Sequence, residues 1–85
     1  MTPDKNGWIA GIESAPKDDG IFVFIPFVDE DGEQVYDHSM AWYLAEEGRW
    51  DGEWRYTDIA ALATAEPTHW KPLDTPEDYA AKVAA

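Results

Sequence analysis

The chain has 85 residues, a net charge of −12 from eighteen acidic against six basic side chains, five tryptophans and no cysteine. That length leaves room for one domain, and the missing thiols exclude a disulfide framework, thiolate zinc sites and cysteine nucleophiles. The charge disfavours nucleic acid and anionic membrane as direct partners and points to a basic one.

The N-terminal stretch Met1-Thr2-Pro3-Asp4-Lys5-Asn6 is polar and lacks the basic-then-apolar pattern of a signal peptide. No apolar run approaches the roughly 20 residues that a membrane helix needs. The expectation is a cytoplasmic protein whose single domain spans 1–85, with residues 1–6 flexible. Aromatic bulk replaces cross-links in holding so short a chain together.

Asn6-Gly7 marks a turn, Trp8-Ile9 with Ile12 forms a short apolar patch, and Ser14–Gly20 reads as a surface turn. Ile21–Val28 is the clearest strand. It is β-branched and aromatic throughout, which predicts cover on both of its faces. Pro26 lacks a donor, so it belongs at a bulge or where its nitrogen faces no neighbour. Asp31-Gly32 is a hairpin turn inside a solvated acidic loop, and Gln34–His38 is the returning strand. Met40–Ala45 reads as a strand with Trp42 and Leu44 on one face and Tyr43 on the other. Glu46–Arg49 closes a hairpin into Trp50, Asp51-Gly52 makes a further turn, and Glu53–Thr57 alternates as a half-exposed strand.

Residues 58–65 are alanine-rich, which favours a short helix with Asp58 as N-cap and with Ile59 and Leu62 facing inward. Pro67-Thr68-His69-Trp70-Lys71-Pro72-Leu73 is held extended by its two prolines, with Trp70 as a large apolar anchor. Thr75-Pro76-Glu77-Asp78 is a helix start, predicting a C-terminal helix over 76–84. The fold class is therefore α+β: a small twisted antiparallel sheet of four or five strands, as a meander or partly open barrel, with a short C-terminal helix and a second short helix near 58–65.

Candidate chemistry is sparse. A metal or acid–base site would draw on His69 with Asp58 or Glu66, but no His-x-x-x-His or similar ligand spacing exists. His69 reads instead as a partner of the backbone beside Trp70. Ser14 and Ser39 lack a nucleophile elbow, and no glycine loop cradles a phosphate. The expectation is no catalytic residue, no metal and no cofactor. Trp42, Trp50, Trp54 and Trp70 would line a pocket for a planar ligand if Arg49 and Arg55 converged to pair with its phosphate. Their plainer role is a core. The acidic residues Asp29, Glu30, Asp31, Glu33, Asp37, Glu46, Glu47, Asp51 and Glu53 either keep a Trp-rich surface soluble or meet a cationic groove, with Tyr36 and Tyr43 as aromatic hot spots.

Several motifs recur in company. Trp8, Ile12-Glu13-Ser14-Ala15-Pro16-Lys17-Asp18, the strand at 21–28, Gly48-Arg49-Trp50 and Thr68-His69-Trp70-Lys71-Pro72-Leu73 together resemble a small phage and prophage protein family of unknown function. The likeness covers about residues 8–73. Asp19 lengthens the first turn, the acidic stretch around 29–39 is longer than in the family pattern, and a helix start replaces a Pro-rich tail. The resemblance implies a compact β-rich fold and a mobile-element setting, with no activity attached. Joined to the charge, it leads to the expectation of a non-catalytic accessory protein in an infected or lysogenic bacterial host. There it would inhibit a basic host protein or nucleoprotein complex by acidic mimicry of nucleic acid, as an anti-CRISPR does. A Trp-lined binder of a nucleotide signal and a structural phage part are the alternatives.

Overall fold

The computed structural model describes residues 3–73. The expected C-terminal helix at 76–84 lies outside them. Five strands, β1 (Ile9–Ala10), β2 (Ile21–Val28), β3 (Gln34–Leu44), β4 (Arg49–Gly52) and β5 (His69–Pro72), build one open sheet. Every pairing is antiparallel, in the order β1-β5-β2-β3-β4. One short helix, α1 (Ala60–Ala63), and two 3-10 turns at Ile12–Ser14 and Glu53–Tyr56 complete the described fold. The expected small antiparallel sheet with minor helix is what forms, as an open sheet of five strands.

The proline-bounded segment takes the place its stiffness suggests. β5 lies inside the sheet, joining Ile9 to Trp70 on one side and Val23 to Trp70 on the other. It reaches along β2 only from Ile21 to Phe24. Pro26 sits beyond its end, so the absent donor faces no strand. The returning strand and the segment after it are one continuous β3. Its turns are set by local chemistry: Asp29 Oδ1 accepts the Asp31 and Glu33 N–H groups at 2.9 Å. The second hairpin closes with Gly48 at φ +66°, a conformation that glycine adopts without strain.

Cover is one-sided, which corrects the reading of β2. Ile21, Val23 and Ile25 are fully buried with Ala15, Ala41, Trp50, Trp54 and Leu62. The alternate residues Phe22, Phe24, Pro26 and Val28 point to the opposite face, where among the described residues only Trp8 and the short turn before it are laid. An all-apolar strand suggested two packed layers; here the second face is aromatic and open.

Three smaller expectations also change. Glu53–Tyr56 is a 3-10 turn, and Asp51-Gly52 belongs to β4. A 3-10 turn repeats every three residues, so Trp54 and Tyr56, two apart, point in different directions where a strand would have sent both to one face. Trp54 drops into the core while Tyr56 stays exposed. In α1 the N-cap position is Ile59, which is exposed and has no capping side chain, so Asp58 caps nothing. Leu62 does face inward.

Arg55 fastens this layer to the sheet. Its Nε and Nη2 donate to the Trp50 carbonyl, at 3.1 and 2.9 Å. Nη1 donates to the carbonyls of Ala63 and Ala65 at 3.2 and 3.1 Å, and Nη2 also reaches Glu66. The Ala65 carbonyl takes the Trp54 indole N–H as well, and the guanidinium lies 4.8 Å from that ring centre. One planar cation thus satisfies carbonyls from β4 and from the end of α1 together. Its side chain is 7% exposed against 68% for Glu66, so the carbonyls dominate its environment.

Arg55→Lys should lower stability by about 2–4 kcal/mol, since an ammonium leaves some of those buried carbonyls unpaired. Glu66→Gln should cost under about 1 kcal/mol, as exposed ion pairs do. Urea unfolding of both variants checks this, and equal losses would mean that the ion pair holds the clasp. Gly52→Ala should destabilise by about 1–3 kcal/mol, because a Cβ there would meet the Met40 carbonyl oxygen and the Trp54 ring. A thermal midpoint for Gly52→Ala equal to that of the parent would contradict this packing.

Candidate functional site

The parity of the strands decides what the open face carries. Register places Phe22 opposite Met40, Phe24 opposite His38 and Pro26 opposite Tyr36. On the other flank Phe24 lies opposite His69 and Phe22 opposite Lys71. Even-numbered residues of β2 and β3 therefore share the uncovered face with His69 and Lys71 of β5. Of the large apolar side chains left exposed, Phe22, Val28, Tyr36, Met40 and Trp42 belong to this face. Single exposed apolar residues are ordinary, but a contiguous set across neighbouring strands marks an interaction surface.

Trp8 completes it. The residue precedes β1, and its ring stacks on His38 with centroids 5.8 Å apart at 26°. It meets Phe24 edge-on at 5.9 Å, and Lys71 Nζ lies 4.5 Å from its centre. Phe24 is the middle of the platform: Tyr36 stacks on it at 5.2 Å and His69 stands perpendicular at 5.7 Å. Asp4 anchors the approach, its Oδ1 accepting the N–H groups of Asn6 and Trp8 at 2.9 Å. His69 Nδ1 lies 2.7 Å from the Thr68 hydroxyl. Such ring arrangements favour offset or edge contacts with a further planar or cationic group.

The acidic candidates do not form one surface. Asp29, Glu30, Asp31 and Glu33 lie at the β2–β3 tip, while Glu46 and Glu47 lie at the β3–β4 tip. The eleven residues of β3 separate the two, about 35 Å at the usual rise. Asp29 is occupied in its turn and Glu47 in an ion pair with Arg49 at 3.0 Å. Asp37 Oδ1 accepts the His38 N–H at 2.9 Å. Glu53 is exposed at the start of the 3-10 turn. Asp51 is buried in β4, where its Oδ2 accepts the Tyr56 hydroxyl at 3.0 Å and Oδ1 has no partner among the described residues. That bond and the carboxylate charge raise the Tyr56 phenol above the ordinary tyrosine value. Asp51 therefore acts within the fold rather than toward a partner.

Tyr36 stands on the open face. Tyr43 is half-buried against Trp50, 5.2 Å away, with Lys17 Nζ 5.0 Å from its ring centre. The four indoles proposed as a pocket are dispersed. Trp50 and Trp54 are core, Trp70 is half-buried and donates to the Ser14 hydroxyl at 3.0 Å, and Trp42 is on the opposite face. Arg55 is spent on carbonyls and Arg49 on Glu47, so the two do not converge on a phosphate.

Sequence reading passed over Trp8, Phe22, Phe24, His38 and Met40. The signal was there in the alternation of Ile21, Val23 and Ile25 with Phe22 and Phe24: aliphatic residues for the core, rings for the open side. Among the described residues no helix is long and apolar enough to cross a membrane.

No curated protein and no solved structure matches the chain. A family model described as "Protein of unknown function (DUF551)" matches residues 7–78, which takes in the platform, the core and all five strands. The chain belongs to this family, DUF551, whose function is unknown.

Proposed function

We propose that the protein is a non-catalytic binding protein that occupies a basic, nucleic-acid-handling partner, in the manner of anti-defence factors such as anti-CRISPR proteins encoded by phages and prophages. The observation that carries the reading is the uncovered aromatic sheet face on a molecule of net charge −12. Rings on a stiff sheet provide contact area with little loss of side-chain freedom, and Trp and Tyr dominate binding energy where they become fully desolvated. The carboxylates provide the long-range field. Among the described residues only Glu47 and Glu66 pair with a basic side chain, so most of that negative charge is uncompensated locally.

The separation of the acidic tips refines the mimicry idea. A stand-in for a run of phosphates wants one continuous line of charge, whereas these tips lie at opposite ends of β3. Their role in this reading is to steer a basic partner toward the ring-covered face, raising the association rate at low salt. Phage or prophage origin rests on the motif likeness alone.

A second reading has its own support in the Trp8–His38 stack beside Phe24. That platform suits a planar ligand, though not a strongly anionic one.

Two changes separate steering from contact. The quadruple variant Asp29→Asn, Glu30→Gln, Asp31→Asn, Glu33→Gln should slow association with a guide-loaded interference complex and flatten its salt dependence. Trp42→Ala should leave association nearly unchanged and raise dissociation about tenfold or more. Surface plasmon resonance reads both. If no interference or other nucleic-acid-handling complex binds the parent protein at low salt, the function proposed here is wrong.

A further inference from the structure

β3 is longer than the strand beside it. β4 pairs only with Ala41–Leu44, so Gln34–Met40 has β2 on one side and, among the described residues, no strand on the other. Antiparallel alternation sends the N–H and C=O groups of every second residue toward that side. The Leu44 carbonyl marks the phase, because it accepts the Gly48 N–H across the β3–β4 turn. Counting back by twos puts Met40, His38 and Tyr36 on this side, with the Met40 carbonyl already against Gly52. Two short local bonds agree with this phase: Asp37 Oδ1 accepts the His38 N–H at 2.9 Å, and the Ser39 hydroxyl donates to the Met40 carbonyl at 2.8 Å. Side chains of the strand itself fill places that a neighbouring backbone would take.

A groove of about 410 Å³ adjoins this edge, with Asp37, Met40 and Trp42 of β3 on one wall and Glu53 and Thr57 on the other. It lies near the low end of the roughly 300–1,000 Å³ common for ligand sites, a size suited to side chains rather than to a large cofactor. Neither Asp37 nor Glu53 has a cationic partner among the described residues. Trp42 is 45% exposed and lines the same groove; a ring face and a carboxylate are each receptors for a guanidinium or ammonium.

We propose that the free edge of β3 takes an extended peptide segment of a partner as a sixth strand, with its Lys or Arg side chains entering the groove that Asp37, Glu53 and Trp42 line. Main-chain bonds to Tyr36, His38 and the Met40 N–H supply affinity, and the groove selects a basic residue at alternate positions. The charge argues against the other occupants. A second copy brings another twelve net negative charges to the edge, and a neutral or acidic strand leaves both carboxylates uncompensated. The inference deepens the binding function proposed above and rests on its basic partner.

The test uses the full-length chain, labelled with nitrogen-15, and an end-capped heptapeptide of alternating Val and Arg. Two versions of the peptide carry N-methyl groups on every second residue, one in each phase, and a third replaces Arg with neutral citrulline. On addition of the parent peptide, hydrogen exchange at Tyr36, His38 and Met40 should slow. One methylated phase should lose about tenfold or more in affinity and the other little, since only one set of amides faces the edge. The double variant Asp37→Asn, Glu53→Gln should weaken the parent peptide by a similar factor. Equal binding by both methylated phases would overturn strand addition while leaving a basic partner intact. Equal binding by the citrulline peptide would instead remove the basic partner. Slow exchange at those amides without peptide, together with a dimer in sedimentation, would assign the edge to a second copy and also overturn the proposal.

Discussion

The guanidinium of Arg55 decides what this small protein can leave uncovered. A layer made of a 3-10 turn and a four-residue helix has few regular hydrogen bonds of its own, and helices that short do not persist unaided. By satisfying carbonyls of Trp50, Ala63 and Ala65 at once, Arg55 turns irregular chain into a rigid lid over Ile21, Val23 and Ile25. Trp54 then fills the space beneath it, with Gly52 giving way because no Cβ would fit. With one face closed so economically, the other carries only Trp8 and the turn before it among the described residues.

The two sides of the sheet consequently follow different rules. The inner side holds aliphatic residues of β2 and the larger indoles in close contact, where volume and shape matter. The outer side holds rings that touch one another at 5–6 Å, with imidazoles of His38 and His69 flanking Phe24. Ring-on-ring contact keeps that surface ordered without burying it. The same economy leaves part of β3 without a neighbouring strand among the described residues, a feature that proteins ordinarily blunt with charge or local side-chain bonds. Here both devices are present, in Asp37 and Ser39.

Much of the scaffold was legible in the residues. The prolines at 67 and 72 announced an extended segment, the β-branched run announced β2, and Asp31-Gly32 and Gly48 announced the hairpins. What escaped depends on information that a linear reading does not hold. Arg55 looked like a phosphate ligand because its true partners are main-chain carbonyls, which carry no residue identity. Glu53–Tyr56 alternates polar and aromatic, which reads as a strand, and four residues are too few for a period of three to show itself. The open face was missed for a different reason: an all-apolar strand says nothing about which side is covered until the number of covering elements is known. The functional candidates suffered accordingly. Tyr36 and Trp42 are among them, but the acidic loops expected to share one surface lie at opposite ends of one long strand.

The position of β5 has a consequence for how the molecule is made. It is inserted between β1 and β2, joining residues some sixty positions apart through partners such as Ile9 and Trp70. While the chain emerges from a ribosome, β2, β3 and β4 can associate as a meander, yet β1 has nothing to hold until His69–Pro72 follows. Until then the flank of β2 is bare and sticky. Sheets closed by such distant segments assemble slowly, so a nascent chain stalled before residue 69 would present that flank to chaperones.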